Sequence, residues 1–299
     1  MRNLVTLTRV RMQLALRNKM FFFFSIIMPM GFFFLYSSVF ARGNPHAVSF
    51  FLGPVLALNV MGSFWGLSAT LVMFREQGIL RRFHVAPVSA SDMLASSICA
   101  NFVLTLPTIL VILTLARLVY HVPNFGNLFA LSLFVAVGTL AFGSLGLVVA
   151  SITNTMQETQ VLNQILWLPL IFFSGATFPL EYLPKIVKSV GLFLPATYLV
   201  TGLQQATFSS KPVSQLLTYF LALASWAVLS FFVASQLFRW EPEIKIPRKA
   251  KMWAAATIVP FVILGIWEQT NGRTLSEAQS AFRALTQQQD TQSPEQPKN

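Results

Sequence analysis

Six stretches of this 299-residue chain, 21–40, 47–74, 93–116, 128–152, 161–180 and 216–238, run without a single charged side chain. Each is about 20 residues or more, the length a helix needs to cross the roughly 30 Å hydrocarbon layer of a bilayer. Lipid offers no partner to an open sheet edge, and the runs lack the alternation of barrel strands, so each is expected to be a helix. Composition agrees: 10% of the residues are charged, against roughly a quarter in a soluble domain. The expected fold class is an all-α membrane protein, a polytopic bundle of six transmembrane helices. A seventh apolar run, 252–267, has only 16 residues and contains Pro260. Basic residues before it and Trp267 at its end favour a short seventh span, with an interfacial helix or hairpin as the alternative.

The first run is too long for a signal-peptide core, and no small-x-small site precedes Arg42, so it is expected to be a retained span. Lys and Arg collect on the cytoplasmic side of short loops. Arg2, Arg9, Arg11, Arg17 and Lys19 precede the first run; Arg75, Arg81 and Arg82 follow the second; Arg239, Lys245, Arg248, Lys249 and Lys251 follow the sixth. With the N-terminus in the cytoplasm, these thirteen face inward, and only Arg42, Arg117, Lys185, Lys188 and Lys211 face outward. A multi-pass protein of a cytoplasmic (inner) membrane, in contact with anionic lipid, is the expectation. No basic patch with interleaved aromatics stands apart from a span, which argues against a nucleic-acid partner.

That orientation makes REQGILRRFHVAPVSASD, residues 75–92, a cytoplasmic loop between the second and third spans. It is longer than a plain helix connection requires. Ile79, Leu80 and Phe83 sit at i, i+1 and i+4, giving a short helix one apolar face, with Arg81 and Arg82 turned away. Pro87 excludes helical geometry at Ala86, and Ser89 or Ser91 can cap a following helix whose first turn carries Asp92. The bland reading is a basic topology marker in the headgroup layer.

A second unusual segment is SGATFPLEYLPKIVKSVGLFLPATYLVTGLQQ, residues 174–205. Its apolar part, 190–199, is too short to span and is flanked by Pro184 and Pro195, so an interfacial or re-entrant segment is expected before the sixth span. Gly175 and Gly191 permit sharp turns. Leu180, Tyr182 and Leu183 are expected to dip inward, and Glu181, Lys185 and Lys188 to stay wet.

Chemistry of the chain's own is hard to find. There is no G-x-x-x-x-G-K-[ST] loop to cradle a nucleotide, no H-E-x-x-H and no G-x-S-x-G. His46, His84 and His121 are scattered, and the lone Cys99 can form neither an internal disulfide nor a thiolate cluster. None of the ten Asp and Glu residues lies deep in the six runs, so ion coupling has no obvious carrier. No enzyme activity, metal or bound cofactor is expected.

The two quoted segments, with the basic stretch before the first span, resemble the ABC-2 type permeases, the membrane subunits of ATP-binding-cassette exporters. The likeness covers roughly residues 1–240. It implies that a separate cytoplasmic ATPase binds ATP and Mg, and that two permease subunits, identical or different, act together. It implies that the short loop helix docks in the ATPase, with Arg75, Glu76, Gly78, Arg81 and Arg82 as contacts and the TNTMQETQ loop after the fourth span as a smaller one. It implies also that the 174–205 element caps the outer exit, through Gly175, Phe178, Pro179, Glu181, Pro184, Pro195 and Tyr198. Residues 1–20 then form an interfacial helix with Leu7, Val10 and Leu14 on one side and Arg2, Arg9 and Gln13 on the other.

Within the spans, Asn59, Asn101, Asn163 and Gln164 are candidates for the substrate pathway, or for interhelical hydrogen bonds. Gly62 and Gly66, and Gly138, Gly143 and Gly146, permit close helix approach, within one subunit or between two. The chain thus divides into an interfacial helix (1–20), a six-span domain (21–240), a basic linker with the short apolar run (241–267) and a polar tail (268–299) expected to be disordered. The expected function is export of a hydrophobic or amphipathic compound. A non-transport scaffold or sensor subunit, and a secondary transporter, are the competing readings.

Overall fold

The computed structural model describes residues 2–17, 19–42, 44–84, 89–240 and 250–292. No strand occurs among them. Helix α1 (Arg2–Arg17) leads to α2 (Lys19–Val39); the second apolar run is one helix interrupted at Gly62, giving α3 (Pro45–Met61) and α4 (Ser63–Glu76). Short α5 (Ile79–His84) precedes α6 (Ala90–Leu118), α7 (Leu128–Ile152) and α8 (Met156–Phe173). Two short helices, α9 (Lys185–Gly191) and α10 (Pro195–Thr207), meet at an angle of 93°. The chain ends with α11 (Leu217–Leu237), α12 (Ala250–Ala256), α13 (Val259–Asn271) and α14 (Arg273–Gln292).

Five described helices are long and apolar enough to cross a bilayer, Pro45–Glu76, Ala90–Leu118, Leu128–Ile152, Leu217–Leu237 and Met252–Asn271, and the bent α9–α10 pair makes six if it counts as one span. The all-helical, multi-pass membrane class expected from the sequence is therefore the observed one. Helix α2 (Lys19–Val39) covers the first run, with the side chains of residues 21–25 outside the described residues and Ile26–Val39 the apolar part described. One run differs in detail. The fifth run was expected to span 161–180, but α8 starts at Met156 with a polar turn and stops at Phe173, because Ser174 and the left-handed Gly175 (φ +85°) turn the chain away.

Helix starts are set by side-chain caps: Asn44 accepts from the His46 N–H, Ser89 from Asp92, Asn127 from Ala130 and Thr155 from Glu158. Inside the bundle α7 packs against α3, α4, α6, α10 and α11, and nearly every residue of α3 and α10 is buried. The glycines of α7 serve contacts within this chain. A Cβ at Gly146 would overlap the Phe64 carbonyl, and one at Gly138 would press Leu199 and Val60.

The end of the chain corrects an expectation. Residues from 273 to 292, expected to be disordered, form α14, whose buried side chains Thr274, Ala278, Ala281 and Leu285 fall on one helical face. Phe282 lies between Phe50 of α3 and Tyr182, with ring centroids 6.2 and 5.3 Å away. Helices α12 and α13 pack along α11, so α14 reaches the bundle end where the α8–α10 connection lies. Residues 241–249, most of the basic linker, fall outside the described residues.

Candidate functional site

At the opposite end of the bundle, the tips of α4, α7 and α11 converge on the turn between α7 and α8. The last carbonyls of a helix lack intrahelical donors and carry its negative dipole end. Arg75, the penultimate residue of α4, meets that need: its Nη1 donates to the Ala150 oxygen at 2.9 Å and its Nη2 to the Thr153 oxygen at 2.6 Å. Arg239, just beyond α11, donates from Nη2 to the same Thr153 oxygen at 2.7 Å and from Nη1 to Asn154 Oδ1 at 3.1 Å. Burial pulls the Arg239 guanidinium below its ordinary pKa, while the nearby Glu158 carboxylate works the other way.

The next residue of α4 serves the neighbouring helix start. Glu76 Oε1 accepts from the Met156 N–H at 2.8 Å, at the positive end of α8, and Glu158 Oε2 accepts from the Asn154 N–H at 2.7 Å. Adjacent residues of opposite charge therefore grip two helix ends of opposite polarity. Beyond them Gly78 turns the chain with φ +68°, and α5 follows. Its Leu80 is fully buried beside Leu71, Val72, Met93, Leu94 and Leu147, while Arg81 is exposed. The loop helix is thus bolted to the bundle by an apolar anchor and a polar knot.

Arg75 is the clear departure from the docking set expected above. It is 1% exposed, because the carbonyls ending α7 draw its guanidinium inward. Glu76 is exposed but already holds the α8 start. Gly78 and Arg81 remain at the surface of the loop; the Arg82 side chain and residues 85–88, with Pro87, lie outside the described residues. Arg239 was read only as a topology marker; its signal in the sequence is its position directly after an apolar run, and the structure turns it onto the loop 153–155.

The N-terminal helix α1 lies along α6. Its inner face carries Leu7 and Arg11, with Val10 turned out at 39% exposure, contrary to the expected Leu7–Val10 side. The Arg11 guanidinium sits 5.6 Å from the Phe74 ring centroid and approaches Met93 Sδ at 3.5 Å. Burial pushes its pKa down to about 10.

At the far end, Gly175 and Leu180 fold the chain back after α8: a Cβ on Gly175 would meet the Leu180 side chain. Pro179 is buried, Phe178 stands exposed with its ring edge-on to Phe40, and Pro184 is exposed. Pro195 opens α10 at its first turn, and Tyr198, fully buried, donates from Oη to the Leu192 oxygen at 2.7 Å, closing the bend from α9. Tyr36 of α2 donates to the Ala176 oxygen at 3.0 Å. Two side chains depart from expectation. Tyr182 is 66% exposed, and Glu181 is half-buried with Oε1 enclosed and without a hydrogen-bond partner, so burial holds its carboxyl above the ordinary carboxylate range.

The four intramembrane amides do not form one cluster. Asn163 is fully buried and donates from Nδ2 to Ser68 Oγ at 2.8 Å, tying α8 to α4. Asn59 on α3 and Asn101 on α6 are half-buried, each with one enclosed atom lacking a partner. Gln164 belongs to an exposed face of α8 that also presents Gln157, Gln160, Leu168 and Phe172. The buried carboxylate Glu268, near the end of α13, was not anticipated; its Oε2 accepts from the Thr274 N–H at 2.9 Å and fixes the start of α14.

Comparison with known proteins matches this architecture to a family model described as ABC-2 type transporter, over residues 2–208. The chain is 23% identical over 182 residues to the linearmycin resistance permease protein LnrN of Bacillus subtilis (strain 168), covering 61% of this chain and 47% of that protein. It is 25% identical over 202 residues to the inner membrane transport permease YhhJ of Escherichia coli (strain K12), covering 66% and 54%. It is also 25% identical over 190 residues to the probable multidrug ABC transporter permease YbhS of the same strain, covering 62% and 50%. The alignments thus span about half the length of these relatives. The arginine-bound helix ends, the bolted loop helix and the 93° bend all lie in a multi-pass helical protein that belongs to the ABC-2 type transporter family.

Proposed function

We propose that the chain is the membrane subunit of an ATP-binding-cassette exporter, driven by a separate cytoplasmic ATPase that supplies ATP and Mg chemistry. The observation that carries this reading is α5. It is a six-residue helix between two membrane-length helices, anchored through Leu80 and presenting Arg81 outward. A short rigid element of this kind is what a soluble motor can push on. The N-terminus lies in the cytoplasm on this reading, α1 rests in the inner headgroup layer, and α9–α10 closes the outer exit as a re-entrant pair.

Two permease copies, like or unlike, complete the complex, with the exposed α8 face and its Gln164 turned toward the pathway. Names of relatives that speak of linearmycin resistance and multidrug transport favour outward movement of a hydrophobic or amphipathic compound. The test is co-purification with a co-expressed ATP-binding-cassette subunit. Arg81→Glu combined with Arg82→Glu is expected to abolish capture of the ATPase while leaving the permease folded. Undiminished capture by the doubly reversed loop contradicts docking on α5.

A further inference from the structure

We infer that Arg75 and Arg239 are positioning residues that carry motion of the loop helix into α8, by making the α7–α8 turn one rigid body with the tips of α4 and α11. This rests on the exporter reading above and names the residues through which the stroke is delivered. Two guanidiniums on one carbonyl oxygen is a repulsive arrangement unless opposite charge surrounds it. Here the negative end of α7 and the carboxylates of Glu76 and Glu158 do so, and both arginines are almost fully enclosed, at 1% and 5% exposure.

The mechanical content follows from which parts are joined. Arg75 is three residues before Gly78, the turn that leads into α5, so movement of α5 is passed to Ala150 and Thr153. Glu76 pulls on the first N–H of α8 in the same movement. Behind the turn, Thr153 Oγ1 and Thr159 Oγ1 lie 2.8 Å apart, fastening the first helical turn of α8 to the end of α7. The contact between Asn163 and Ser68 repeats the tie between α8 and α4 further along. Displacement of α5 therefore reaches α8, whose open face carries Gln157, Gln160 and Gln164. Arg239 adds α11 to the same body. Arginine suits this task because its planar fork binds two acceptors at once, which a lysine ammonium cannot do with the same geometry.

The test uses the full chain assembled with its ATPase in lipid vesicles, reading export per ATP hydrolysed. Arg75 is so enclosed that its variants can fail to fold, so the variants are Arg239→Gln, Arg239→Lys and Asn154→Ala, the last at an exposed residue. Arg239→Gln is expected to keep assembly and basal ATP hydrolysis while export per ATP falls roughly tenfold. Asn154→Ala is expected to give a smaller loss, Arg239→Lys a partial one, and the Arg239→Gln/Asn154→Ala pair no more than Arg239→Gln alone, since Asn154→Ala removes only a contact that Arg239→Gln already removes. Export per ATP unchanged in Arg239→Gln, or falling only in step with assembled complex, overturns the inference. Failure of the unsubstituted chain to bind an ATPase or export at all refutes the exporter reading instead.

Discussion

Arg75 and Arg239, separated by more than half the chain, donate to the same atom, the carbonyl oxygen of Thr153, at 2.6 and 2.7 Å. Buried charge-assisted hydrogen bonds are strong individually and expensive to break from one side. Arg75→Ala leaves the Ala150 carbonyl without this donor and opens a void among α4, α7 and α8. The expected loss of stability is about 2–3 kcal/mol, seen as a lowered Tm in detergent. Arg81→Ala, at an exposed position, is expected to change stability by no more than about 0.5 kcal/mol.

Glu181 makes stability depend on pH. Its carboxyl is held above the ordinary carboxylate range mainly by burial, with its own backbone hydrogen bond and Lys188 pulling weakly the other way. A group with a raised folded-state value binds its proton more tightly in the folded than in the unfolded chain. Its contribution is fully present below the unfolded carboxylate value and is lost as pH rises through the raised one. Glu181→Gln is expected to raise Tm at neutral pH and to flatten its decline between mildly acidic and neutral pH. Thermal melts across that range check this; an unaltered slope contradicts it.

Helix α14 is expected to detach when its inner face is charged. Ala281→Asp places a carboxylate against the cluster containing Phe50 and Leu285, whereas Arg283→Asp changes an exposed position. Hydrogen exchange is expected to rise across residues 273–287 in the first variant and to stay low in the second.

Two glycine substitutions should have opposite signs. Gly146→Ala drives a methyl into the Phe64 carbonyl between α4 and α7, and overpacking of this kind costs about 1–3 kcal/mol. Gly31→Ala meets nothing within 4 Å inside a helix, and is expected to stabilise by about 0.5–1 kcal/mol. Paired melts of the two proteins decide the matter.

Long uncharged runs were enough to place α3–α4, α6, α7 and α11 within a few residues, since the bilayer demands length and little else. The start of α8 was not legible that way: Gln157, Glu158 and Gln160 read as loop, yet Thr155 caps them into the helix. Helix α14 was hidden because its inner face is built from Thr274, Ala278, Ala281 and Leu285, small residues that weigh little in any hydropathy count. At the candidate site, the loop helix and the Ser89 cap were readable from spacing. Arg75 was not, because a charged residue at a span end looks solvated until the helix end that binds it is known. For the same reason Arg239 looked like a topology marker.

On the proposed exporter reading, force enters the chain through α5. ATP-driven movement of an amphipathic test compound, in vesicles holding the chain and its ATPase, addresses it most directly. With Arg81→Glu and Arg82→Glu together, transport is expected to stop while the protein keeps its Tm. Transport at the unsubstituted rate would contradict it.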